Sequence, residues 1–213
     1  MTWKRARSEN QKQERINQIV KATANLYIDK TFEEISFVSI AKEAKFTRSN
    51  LYKYFSSKEE IFLEFLKDDI SIWKNELIET IDINKSYSID EFVDFWVDLQ
   101  LKHKRFLELL SLLYTSLEKN ISMEHLVLFK RDVVNNILDL SKILIVLFPK
   151  LSEKDISDFI NLQFSSAIGL YQMTNLSETQ KKVLSKDQFK HLKIDFTYSY
   201  KMSIKAILNN ILN

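Results

Sequence analysis

The chain has no cysteine, one glycine and one proline in 213 residues. Without cysteine there is no disulfide, no thiolate metal site and no thiol nucleophile, which suits a reducing compartment. A single glycine cannot furnish the phosphate-cradling loops of P-loop or dinucleotide-binding folds, so those classes are excluded. Turn-dense β architectures need glycine and proline at their corners, which leaves an all-α fold as the expected class. Long apolar runs are missing too: the longest, 143–148, is six residues, against the roughly 18 that span a bilayer. Lys4, Arg5 and Arg7 make the start basic, but polar residues follow in place of a signal-peptide core. These absences predict a soluble cytoplasmic protein with no membrane partner.

Catalytic signatures are also wanting. His103, His125 and His191 lie 22 and 66 positions apart, so no local pair of the H-E-x-x-H kind exists and metal binding is not expected. There is no G-x-S-x-G elbow, and the scattered carboxylates read as solvated charge on helical faces. Neither enzymatic activity nor a cofactor is expected.

What is present is helical periodicity and an uneven distribution of charge. Residues 1–60 carry 12 Lys/Arg against 8 Asp/Glu, and the remainder 19 against 21. The front of the chain is therefore the part suited to a polyanion. Apolar residues at three-and-four spacing predict about nine helices. Capping boxes at Ser8, Ser57, Ser88, Ser152 and Ser185, each followed three residues later by Gln, Glu or Asp, open five of them. The first is expected from 8 to near 29, behind a mobile basic arm at 3–7. Short helices follow at 36–44 and 47–54, then a long one from 57 to about 81. Further helices are expected from 88 to 101, at 106–117 after a break at His103, at 122–148 before Pro149, from 152 to 176, and at 185–211 after a polar loop at 177–182.

The two short helices, separated by a tight break at Lys45 and Phe46, have the size and order of a helix-turn-helix. Val38, Ile40, Ala41 and Ala44 offer an apolar face on which Phe46 and Leu51 pack. Outward remain Thr47, Arg48, Ser49, Asn50, Tyr52, Lys53 and Tyr54, which can donate to phosphates and base edges with almost nothing acidic among them. Arg48 suits guanine O6 and N7, and Asn50 suits adenine. The Ser36 hydroxyl is placed to cap the first short helix and reach a phosphate; capping alone is the alternative. Lys58 puts a positive side chain in the first turn of a helix, a repulsive placement that a phosphate lying between the two would explain.

The ordered set Ile16, Ala22, Leu26-Tyr27, Phe32, Ser36, Ile40-Ala41, Ala44, the run 46–55 (FTRSNLYKYF) and Ser57-Lys58-Glu59-Glu60 resembles the amino-terminal domain of the TetR family of transcriptional regulators. The resemblance covers residues 8–66. Thr31 and Lys45 stand where that family usually has glycine, and a non-glycine residue in a left-handed turn costs roughly 1 to 2 kcal/mol. The resemblance implies a three-helix DNA-binding domain over 1–56 and a helical effector-binding and dimerisation domain over 57–213. It further implies a homodimer through the last two helices, a palindromic double-stranded DNA operator, and a small, largely apolar effector whose binding releases the operator. Tyr52 corresponds to a position that typically grips phosphate. Trp96, His103, Tyr114, Phe129, Phe164 and Tyr171 are candidates for an effector pocket among the middle helices, with ordinary aromatic core as the competing reading. Gly169, inside an apolar helix, permits close helix approach or room beside a ligand. The alternative function is a TetR-like helical protein that acts mainly through protein partners.

Overall fold

Four serines open helices by the same device. The hydroxyls of Ser36, Ser88, Ser152 and Ser177 each accept the amide three residues on, and the side chain of that third residue accepts the serine amide. Each such cap contributes about 1 kcal/mol. At Ser88 the serine amide, the Lys85 ammonium and the serine hydroxyl together hold the Glu91 carboxyl down at about 2.

The computed structural model describes the backbone of residues 2–212 and the side chains of residues 10–212. Its helices are α1 (Thr2–Leu26), α2 (Phe37–Glu43), α3 (Arg48–Leu51), α4 (Lys58–Thr80), α5 (Ile89–Lys102), α6 (Lys104–Leu112), α7 (Met123–Leu147), α8 (Glu153–Thr174), α9 (Glu178–Leu184) and α10 (Phe196–Leu212). A π-helical turn, Leu113–Leu117, extends α6, and a 3-10 helix, Asp187–Leu192, precedes α10. Among the described residues there is no strand, so the fold is all-α as expected. No described helix is long and apolar enough to cross a membrane.

Four local expectations are corrected. The backbone of α1 is helical from Thr2, so Ser8 lies within the helix and residues 3–7 are not an arm ahead of it; the side chains of residues 1–9 lie outside the described residues. Val38 is 55% exposed while Ile35 is 1% exposed, because at 3.6 residues per turn Val38 lies to the side of the face that Ile40, Ala41 and Ala44 share. The polar stretch at 177–182 forms α9, since Ser177 and Gln180 make a capping box there. That displaces the last helix: Ser185 ends α9, and α10 starts at Phe196 with the Asp195 carboxylate accepting the Tyr198 amide at 2.7 Å. The break at His103 is present, with φ −102° and ψ 55° between α5 and α6.

The chain forms two compact units, residues 1–68 with 112–132, and residues 69–111 with 133–213. In the first, α1 packs on α2 and α2 on α3. Its core combines aliphatic side chains, among them Ile19, Ile40, Leu51 and Leu66, with an aromatic cluster in which Phe62 meets Phe32 edge to face at 4.9 Å and Tyr27 at 5.4 Å. In the second, α10 packs on α8 and α5. Phe92, Trp96, Phe159 and Tyr200 are fully buried around one polar node: the Gln163 carbonyl accepts from the Trp96 indole at 3.2 Å and from the Tyr200 hydroxyl at 2.6 Å. Burial pushes the Tyr200 phenol well above its ordinary range.

Lys45 is in the left-handed region, with φ 58°. The Phe46 amide donates to the Ala41 carbonyl at 2.8 Å and the Lys45 amide to the Lys42 carbonyl at 3.1 Å, the two bonds of a Schellman turn. The turn thus keeps the conformation glycine would favour, and an L side chain there is strained by roughly 1 to 2 kcal/mol. Lys45→Gly is expected to raise the unfolding free energy in urea titrations by about 1 kcal/mol; an unchanged or lower value would show that the lysine side chain compensates for its strained backbone.

Candidate nucleic-acid interface

The recognition segment starts from a dry underside. Ile40, Ala41 and Leu51 are buried, and this packing fixes which side of α3 faces solvent. Thr47 caps α3 by accepting the Asn50 amide at 3.1 Å. Past Leu51 the chain keeps turning: the Tyr52 amide bonds the Arg48 carbonyl, and the Lys53 and Tyr54 amides bond the carbonyls of Asn50 and Leu51.

On that frame Ser36, Thr47, Arg48, Ser49, Tyr52 and Lys53 are exposed, and Asn50 and Tyr54 half-buried. Arg48 does not project alone. Its Nη2 donates to the Tyr52 hydroxyl at 3.0 Å with the guanidinium 5.5 Å from the Tyr52 ring, which in turn lies 4.6 Å from the Phe37 ring. The stack ties the arginine to both short helices and reduces the side-chain freedom that a base contact would otherwise have to restrict.

Lys58 is placed differently from the rest. Its ammonium donates to the carbonyls of Phe32 at 2.7 Å and Ile35 at 3.0 Å and sits 4.0 Å from the Phe32 ring. It thereby bolts the start of α4 to the loop that leads into α2. Glu60, buried, does similar work on the other side: its carboxylate accepts the Ser56 amide at 2.6 Å and the Ser122 amide at 3.3 Å, and lies 3.2 Å from His125 Nδ1. The Ser57 hydroxyl donates to the Asn120 carbonyl at 2.9 Å. The expected box at Ser57 is half formed, because Glu60 reaches back one residue further than a box requires. Nothing in the sequence links Glu60 to residues some sixty positions away.

The six effector-pocket candidates divide between the units. Tyr114 is exposed and Phe129 buried in the first, with the Lys130 ammonium 5.4 Å from the Tyr114 ring. In the second, Trp96 and Phe164 pack against Trp73 at 5.2 and 5.8 Å, and His103 pairs with Glu76 at 2.8 Å. Tyr171 lines a cavity of about 280 Å³ with Leu101, Leu107, Phe196, Lys104 and Glu108 among its walls. His103 lines another, of about 340 Å³. Neither cavity is walled by a second member of the set.

A short α3 held outward on a buried underside, after a tight turn from α2, defines a helix-turn-helix protein. Residues 19–65 match the family described as bacterial regulatory proteins, tetR family, and residues 67–212 match the tetracyclin repressor-like C-terminal domain. The chain belongs to the TetR family and is a DNA-binding transcriptional regulator. Its fold is similar to that of a crystal structure from Mesorhizobium loti MAFF303099 assigned as a TetR-family transcriptional regulator, with 14% identity, 93% of this chain and 97% of that one covered, and a TM-score of 0.50. Among curated proteins no sequence matches this chain.

Hydrogen bonds from a charged donor contribute about 1.5 to 3 kcal/mol. Lys58→Met, which keeps the stem over Phe32 but removes the donors, is expected to lower the unfolding free energy by about 1 to 3 kcal/mol. A wild-type denaturation midpoint would mean that the two carbonyls are satisfied equally well by water.

Proposed function

We propose that the protein is a homodimeric, ligand-responsive repressor that binds a palindromic operator through the exposed face of α2 and α3. The observation that carries this reading is the row of exposed Arg48, Ser49 and Lys53, with half-buried Asn50 beside them and no carboxylate among the four. Arg48 is assigned to guanine, Asn50 to adenine, and Ser36, Thr47, Tyr52 and Tyr54 to the sugar-phosphate backbone. Lys58 acts behind them as a strut that sets the tilt of the segment.

Dimerisation is assigned to α8 and α10. Leu162, Gly169 and Met173 share one exposed face of α8, and Tyr198 and Met202 one exposed face of α10, the last two 67% and 51% exposed. A Cβ added at Gly169 would meet nothing within 4 Å in this chain, so the open position suits close approach by a second copy. Two-fold pairing would present two α3 helices to half-sites about 34 to 36 Å apart, or a multiple of that. The functional boundary is placed at 56/57, and the effector is a small, mostly apolar molecule entering near Tyr171 and Phe196. Effector binding would favour one placement of α4, whose N-terminal turn carries the strut and thereby the helix-turn-helix. A cytoplasmic location follows from this role.

Selection of duplexes from a randomised pool by the wild-type protein is expected to recover a palindrome, and Arg48→Ala should weaken binding to it by about 1 to 3 kcal/mol and relax the base preference at one position per half-site. Recovery of no preferred sequence would favour a protein partner over an operator. Met202→Glu is expected to convert a sedimenting dimer to a monomer; a wild-type protein that is monomeric at micromolar concentration would overturn the assignment to α8 and α10.

A further inference from the structure

We propose that Lys12 and Arg15 of α1 form, with Lys53 and Tyr54, a clamp for the phosphodiester backbone that borders α3. This rests on the DNA-binding reading and relocates the backbone anchor. The ammonium of Lys58 in the first turn of α4, whose placement at a positive helix end a phosphate would explain, is committed to two carbonyls. Lys12 and Lys53 are exposed, and they meet at one groove. It measures about 520 Å³ and is lined by Gln11, Lys12, Glu14, Arg15, Lys53 and Tyr54. Three cations against one carboxylate, with an amide and a phenol as further donors and no aliphatic wall, suit an anion.

Lys12 and Arg15 are three apart and so lie on one face of α1. Arg15 is positioned by a ladder: its guanidinium lies 5.6 Å from the Phe46 ring, and Phe46 meets Tyr54 edge to face at 6.2 Å and 86°. Phe46 belongs to the turn before α3 and Tyr54 follows α3, so the ladder fixes Arg15 relative to the recognition segment itself. One Arg15 nitrogen donates to Gln18 at 3.0 Å, which leaves a guanidinium with donors to spare. With α3 in a major groove, the residues immediately after it face the strand at the groove's rim. The groove therefore receives phosphates of the same duplex, and its contacts fix register without reading sequence.

The test is a fluorescence-anisotropy titration of the full chain and its Lys12→Gln/Arg15→Gln variant over a range of salt. The probes are the duplex selected by the wild type and a mixed-sequence duplex of equal length. Each lost phosphate contact lowers the slope of log K against log salt by about 0.9, so the variant should lose about 2 from the slope on both duplexes while keeping the wild-type ratio of affinities between them. Wild-type slopes in the variant would overturn the clamp alone. A changed affinity ratio would also overturn it, by showing base readout. A wild-type protein that retains neither duplex at low salt would overturn the DNA-binding reading and the clamp with it. Both positions are exposed, and an unchanged melting temperature confirms that the variant is folded.

Discussion

The angle between α2 and α3 depends on one residue with a positive φ. Lys45 reverses the chain so that the Phe46 amide reaches back to Ala41, and the reversal brings α3 against α2 with Ile40, Ala41 and Leu51 all buried. If the turn opened, the buried underside would be lost and the Arg48 side of α3 would have no defined direction. The strain is held in place by burial on both sides: removing Leu51 from water contributes about 1.5 to 3 kcal/mol, enough to offset the roughly 1 to 2 kcal/mol of the left-handed lysine.

The start of α4 is fastened on two sides. Lys58 fastens it to the carbonyls before α2, while Glu60 and Ser57 fasten it to residues 120–122. Polar groups are used here because helix ends leave amides and carbonyls that must be satisfied wherever they are covered. The result is a junction fixed in direction as well as position, which apolar packing alone would leave free to slide. Helix α4 continues without a break from this junction to Thr80.

The second unit is built on other terms. Its aromatic core surrounds a satisfied polar node at Gln163, yet the Trp73 indole nitrogen and both amide atoms of Gln100 are buried with no hydrogen-bond partner among the described residues. Unpaired buried groups of this kind cost about 1 to 3 kcal/mol each. Trp73 belongs to α4 and Gln100 to α5, so the unpaired groups lie on these two helices.

Periodicity and caps determined most of the secondary structure, because an S-x-x-E box or a three-and-four apolar spacing acts within a single helix and needs no distant partner. The same locality made the helix-turn-helix and its outward residues legible, since the family pattern lies in one continuous stretch. It failed at residues 177–195: the stretch read as a polar loop holds the box at Ser177 that opens α9, and the last helix, with Tyr200, Ile204 and Leu208 buried, begins at Phe196 and not at the Ser185 box. Tertiary structure alone decided the bonds of Lys58 to Phe32 and Ile35, the bond of Glu60 to Ser122 and the meeting of Arg15 with Phe46, because these join positions between 23 and 62 residues apart. A sequence states which charges exist; which of them are already bound to the protein, and which remain to meet a ligand, is settled only when distant backbone is brought within hydrogen-bonding reach.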